Sequence, residues 1–158
     1  MKAEYINPFM TSLANAFDTM LNCPVHRGQL TFKSAETPVF EVSGVIGLSG
    51  KAVGTVVLSL SKEVAIKAAS AMLMMEATEL NSDVVDAVGE LTNMVAGAAK
   101  AKLEELNLSI SLPNVIIGLG HEIHFPSNVT PISVPFTCEW GALAIEVGLV
   151  PVPEPALV

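Results

Sequence analysis

Apolar and polar positions along this chain recur with two different periods, and the places where one period gives way to the other divide it into elements. From residue 7 to residue 21 the apolar residues Phe9, Leu13, Ala16, Phe17 and Met20 stand at helical spacing. This predicts a helix with Asn7 as its N-cap and Pro8 in its first turn. A β-rich region follows, with strands predicted at residues 28–34, 38–48 and 51–60, the last two joined at Ser49-Gly50 as a hairpin. Glycines at 44, 47 and 54 leave room there for bulges or close backbone contacts. A second helix is predicted from Ser61, its N-cap, to about residue 75, with its methionines filling the core. A third is capped by Asn81 or Ser82 and ends near Leu106-Asn107. Strands at 114–119, 121–125, 132–138 and 142–149 complete the order, and the proline-rich tail, 151–158, is expected to lie in solvent rather than pair in a sheet. Helices and strands mix without strict alternation. The pattern is that of an α+β domain over residues 1–150, a mostly antiparallel sheet packed with long helices.

The third helix carries the most informative pattern. Val84, Val88, Leu91, Val95, Ala99 and Leu106 fall toward one side. Asp86, Glu90, Asn93 and Gly97 fall within roughly 60° of one another on the other, at spacings of four, three and four. Solvent-facing helix surfaces commonly carry such residues, and spacing alone leaves that ordinary reading open. Two details weigh against it. Asn93 is a mediocre helix former in mid-helix, and Gly89 and Gly97 each cost roughly 1 kcal/mol relative to alanine there. Gly89 could instead serve helix packing.

Composition narrows the class. The chain has 158 residues, of which 51% are apolar and 15% charged, enough for one ordered core. No stretch approaches the roughly 20 apolar residues of a membrane span, since the best candidate, residues 141–153, is interrupted by Glu146. No signal peptide is expected from the first residues, and two isolated cysteines, Cys23 and Cys138, fit a reduced, cytoplasmic setting. A net charge of −8 argues against nucleic acid or an anionic membrane as partner. Several chemistries also fail on spacing. There is no GxSxG elbow, and the glycines at 44–54 are not followed by GK[ST]. The run His121-Glu122-Ile123-His124, read as a strand, points its two histidines to opposite faces, so no metal site is expected.

The run from Val88 to Gly97, Val-Gly-Glu-Leu-Thr-Asn-Met-Val-Ala-Gly, resembles the signature helix of the CheX branch of the CheC/CheX/FliY phosphatases. That signature is an acidic residue or serine, then Glu, then Asn, with a proline some twenty residues on. Here these positions are Asp86, Glu90, Asn93 and Pro113. The opening Glu4-Tyr5-Ile6-Asn7-Pro8-Phe9 and the segments at 45–50, 54–56 and 71–73 are similar in order and type, so the resemblance covers most of the chain. This chain departs from the pattern at Thr92, where the family often has glycine, and in a slightly short spacing to Pro113. CheC-type members carry a second ExxN helix. The only other instance here, Glu4 to Asn7, is followed at once by Pro8 and is read as lying at or before a helix start, which leaves one active stripe.

The resemblance implies a CheC/CheX-like fold that dimerises through sheet edges, for which the apolar strand at 142–149 is the candidate edge. It implies a phosphatase acting on the phosphoaspartate of a CheY-like response regulator, with Asn93 orienting the attacking water and Glu90 pairing with a receiver lysine. Asp86, Gly97 and Ala101 would serve partner binding. No cofactor is expected in this chain, the Mg²⁺ belonging to the receiver. A non-catalytic module of the same fold, which binds a receiver or docks at the flagellar switch, is the alternative.

Overall fold

Tyr5, Ile6, Phe9, Leu13 and Phe17 are buried on one side of the N-terminal helix, and this apolar side begins ahead of Pro8. In the computed structural model, which describes residues 2–34, 37 and 40–153, helix α1 accordingly spans Ala3–Asn15 and runs on as a single π turn, Ala16–Met20. Asn7 is therefore not the N-cap: Lys2 holds that position, and the Tyr5 amide donates to its carbonyl at 3.0 Å. Burying Tyr5 and Ile6 outweighs the one hydrogen bond lost at Pro8.

The remaining elements in chain order are β1 (His26–Arg27), β2 (Thr31–Phe32), β3 (Val42–Ser49), β4 (Ala52–Leu60), α2 (Lys62–Leu73) and α3 (Ser82–Ala101). A 3₁₀ turn (Glu104–Leu106), β5 (Ser109–Ile110), β6 (Asn114–Ile117), β7 (Ile132–Cys138) and β8 (Gly141–Pro151) follow. The β3–β4 hairpin forms as expected, and Ser61 caps α2 by accepting from the Val64 amide at 3.3 Å. Helix α2 stops early because Met74 takes a left-handed backbone, φ 53°, which leaves Met74 and Met75 out of the core and exposed. Helix α3 likewise ends at Ala101, so Leu106 reaches the core from the 3₁₀ turn. The strand expected at 28–34 is reduced to the short β1 and β2, and the first two residues of the one expected at 38–48 lie outside the described residues.

The strands form one antiparallel sheet in the order β1-β7-β8-β4-β3-β5, with β2 also on β7 and β6 also on β3. Strand β8 is thus no edge. It pairs with β4 from Leu143↔Leu60 to Pro151↔Ala52 and with β7 from Gly141↔Cys138 to Val147↔Ile132. Its almost unbroken apolar run is what a strand buried on both faces requires. Pro151 therefore ends a strand instead of opening a solvated tail, most of which (154–158) lies outside the described residues.

The three helices cover one face, where Val42, Ile46, Val56, Leu58, Ile145 and Val147 join the core. Residues 118–131 cross the other face as a strap, and no strand forms at 121–125. The strap is clipped by polar contacts to buried sheet residues. His121 Nδ1 donates to the Gly118 carbonyl at 2.7 Å, and its Nε2 lies 2.8 Å from Ser43 Oγ. Lys33 Nζ donates to the Ile123 carbonyl at 2.7 Å and lies 3.0 Å from the buried Glu146 carboxylate. Phe125 and Val129 fill the space that a side chain at Gly148 would need. His124, by contrast, is exposed and lies 3.2 Å from Glu122.

Candidate functional site

Helix α3 starts where Asn81 Oδ1 accepts the Val84 amide at 3.0 Å. Its buried side, Val84, Val88, Leu91, Val95 and Ala99, packs into the core beneath it. Fixing that side fixes the other: Asp86, Glu90 and Ala101 are exposed, and Asn93 and Gly97 are partly so. Among the described residues, the side chains of Asp86, Glu90 and Asn93 have no hydrogen bond or ion pair within the chain. A carboxylate and a carboxamide one turn apart therefore face outward with their polar capacity unspent.

The rotation and depth of α3 are set by its contact with β3. Thr92 is buried and donates its hydroxyl to the Val88 carbonyl at 2.8 Å. It lies directly over Gly44 of β3, where a Cβ would come within 2.9 Å of the Thr92 Cβ. Helix and strand touch here because one of them lacks a side chain. Sequence reading left Gly44 as a generic close contact, since a partner 48 positions away leaves no trace in one chain. Gly89 has an ordinary neighbourhood: a Cβ there would meet Pro113 at 3.6 Å and Val115 at 3.5 Å. Pro113, some twenty residues on, thus folds back against Gly89, and Ser111 anchors that segment by accepting the Gly47 amide at 2.8 Å.

At the other end of the stripe, a Cβ on Gly97 would meet nothing within 4 Å. Gly97 and Ala101 line an open hollow of about 510 Å³, together with Lys100, Leu103, Glu104 and Asn107. The surface one turn beyond Asn93 is therefore open at Gly97. The second ExxN is also helical, contrary to its reading as a helix start: Glu4 and Asn7 both lie within α1. Its glutamate is engaged, however, with Lys2 Nζ at 3.7 Å, and Pro8 follows directly. Among the described residues no group of three or more His, Cys, Asp or Glu is placed to hold a metal ion.

Comparison with known proteins shows which family the chain belongs to. Residues 42–137 match the family described as chemotaxis phosphatase CheX. The chain belongs to the CheX family. It is similar to the CheY-P phosphatase CheX of Thermotoga maritima, with 34% identity over 122 residues covering 75% of this chain and 78% of that one. The crystal structure of the chemotaxis protein CheX from Vibrio vulnificus has the same fold, with a TM-score of 0.87 and 34% identity over 94% of this chain and 100% of that one. A CheX of Borrelia burgdorferi, solved in complex with CheY, BeF3 and Mg²⁺, shares the fold at a TM-score of 0.79 and 22% identity, over 94% of this chain and 99% of that one. The CheX match contains α2, α3 and Pro113, so Glu90 and Asn93 lie within it, whereas α1 and β8 lie outside.

Proposed function

We propose that this protein is a phosphatase that accelerates hydrolysis of the phosphoaspartate on a CheY-like response regulator, and that Glu90 and Asn93 carry the activity. One observation carries the residue assignment. In a CheX-family chain, a carboxylate and a carboxamide stand one turn apart on one helix, Glu90 exposed and Asn93 partly so, without partners of their own among the described residues. An acyl phosphate is intrinsically labile, so the protein has only to place a water in line and hold the partner still. The Asn93 carboxamide can accept from that water and donate to the phosphoryl oxygen, but it is no general base. The Glu90 carboxylate pairs with a lysine of the receiver's site and fixes the docked pose. Asp86, Gly97 and Ala101 extend the contact along the stripe. Mg²⁺ belongs to the receiver, this chain contributing no ligand of its own. The setting is the cytoplasm, where such a receiver is found.

A hundredfold acceleration corresponds to about 2.7 kcal/mol of barrier, within reach of two oriented polar groups at a desolvated contact. The test is to phosphorylate a cognate receiver with a small-molecule donor and follow the decay of its phosphoaspartate. Asn93→Ala is expected to abolish acceleration with the fold intact, and Glu90→Ala to weaken docking and rate together. Full activity in both variants would place the chemistry elsewhere, and unchanged decay with the unaltered protein would favour a binding module.

We also propose a homodimer, joined through β6 and not through the interior strand β8. Among the described residues strand β6 pairs with β3 alone, so its other edge is open, and Ile116 and Ile117, on its opposite faces, are 38% and 45% exposed. An unpaired edge with apolar side chains is a template for a second strand.

A further inference from the structure

We propose that Lys100 is a second charged anchor for the receiver: its ammonium pairs with a carboxylate on the rim of the receiver's phosphorylation site and fixes which way round the partner docks. This rests on the phosphatase reading and adds a residue to it. Lys100 lies seven residues, about 10 Å of helix, beyond Asn93 and is turned only about 20° from it, so it stands on the same stripe. From its N-terminal end that stripe carries Asp86 and Glu90, then Asn93 and Gly97, then Lys100. Its charge therefore changes sign along its length. Lys100 is exposed, and among the described residues it has no ion pair or hydrogen bond within the chain. It lines the hollow that begins at Gly97, to which Ala101, Leu103, Leu108 and Ile110 contribute apolar lining. Glu104 lines the same hollow without pairing with it.

A lysine in the last turn complements the helix dipole, and Lys102 would serve that purpose equally well. Lys102, however, is turned about 160° from Lys100 and lies off the stripe. The dipole does not account for an unpaired ammonium in line with Glu90 and Asn93. The chemistry of the partner does. A surface that carries a phosphoaspartate and holds Mg²⁺ is rich in carboxylates. This chain, with 16 acidic residues against 8 basic ones, repels such a surface as a whole. A cation on the stripe reverses that sign where contact is made. With Glu90 on the receiver's lysine, Lys100 stands about 15 Å further along the helix axis. Opposite charges at two separated points give the contact a direction. Turned end for end, the receiver would set its lysine against Lys100 and its carboxylate against Glu90. Docking over the apolar lining of the hollow also drives water from around the ammonium, which strengthens the pair relative to one in open solvent.

The test measures binding of the full chain to a receiver loaded with Mg²⁺ and beryllofluoride, in parallel with the decay of the receiver's phosphoaspartate. Lys100→Glu is expected to raise the dissociation constant about tenfold or more at low salt, with a smaller gap at high salt. It should raise the half-saturating receiver concentration in step, the loss being recovered at saturation. Lys100→Gln, which keeps a good helix former and removes only the charge, should fall between Lys100→Glu and the unaltered protein. Lys102→Glu makes the same change in net charge at the same helix end but off the stripe, and should bind within about twofold of the unaltered chain. Equal weakening by Lys100→Glu and Lys102→Glu would overturn the assignment, because total charge would then account for it. So would unchanged binding by Lys100→Glu and Lys100→Gln. The phosphatase reading fails by a different result, an unaltered chain that binds the loaded receiver and leaves phosphoaspartate decay unchanged.

Discussion

Glu90 and Asn93 stand out from the other polar residues of α3 because of their surroundings, not their residue types. Both are outward and unpartnered among the described residues, and the open hollow lined by Gly97 and Ala101 begins one turn beyond Asn93. Gly97 is the sharpest probe of that surface. A methyl group there touches nothing in this chain, so Gly97→Ala should raise stability by up to about 1 kcal/mol, the helix-propensity gain, as read by chemical denaturation. If the stripe is the docking face, the same change should raise the receiver concentration needed for half-maximal phosphatase rate. A more stable variant with unchanged half-saturation would move the receiver off Gly97. Cys23 gives a second check. Its thiol, raised from 9.0 to about 11 mainly by burial, is held protonated more firmly in the folded than in the unfolded chain. Its contribution to stability is therefore complete below about pH 9 and is lost as pH rises toward 11, at up to about 1.4 kcal/mol per pH unit. Denaturation midpoints of the unaltered protein should fall more steeply across that window than those of Cys23→Ala, and parallel slopes would contradict the shift. At this scale the sequence was readable wherever periodicity rules. The 3.6-residue repeat set Glu90 and Asn93 outward against Val88, Leu91 and Val95. It could not show that Met74 and Met75 leave the core, because one left-handed residue ends the repeat.

Between elements, the decisive contact is α3 on β3, where Thr92 rests over Gly44. Gly44→Ala forces a methyl group into the Thr92 side chain and should destabilise by about 1–3 kcal/mol. Combining it with Thr92→Gly removes the overlap, so the double variant should be more stable than the sum of the two single changes, with a coupling of at least 0.5 kcal/mol or so in a denaturation cycle. Additive effects would mean that helix and strand can separate freely. Other boundaries were legible in proportion to how local their causes are. The β3–β4 hairpin, the cap at Ser61 and the span of β7 follow from adjacent residues. The start of α1 did not, because Pro8 indicates a first turn whereas the burial of Tyr5 and Ile6 extends the helix before it. The strap at 118–131 alternates enough to pass for a strand, but His121, Phe125 and Val129 are spent on contacts across the sheet face instead of on a ladder.

Across the described residues, the sheet has two edges, β1 with β2 on one side and β5 with β6 on the other, and only the arrangement of all the strands reveals them. The apolar run of β8 mimics a sticky edge when read alone, but its hydrophobicity reflects burial between β7 and β4. Ile116→Lys should therefore shift the protein from dimer to monomer in light scattering after gel filtration, since a charge on an edge strand opposes edge-to-edge pairing. A persistent dimer would place the junction elsewhere. The interior position of β8 also matters during synthesis. Strand β4 is paired on one side by its hairpin partner β3, but its other side waits for a strand that begins about 80 residues later. At ~5–20 residues per second, the ribosome takes roughly 4 to 16 s to supply it. For that interval the nascent chain carries an open β4 flank lined with Val56, Leu58 and Leu60, so a chaperone that shields hydrophobic strands should be needed most before β8 emerges and released once it docks.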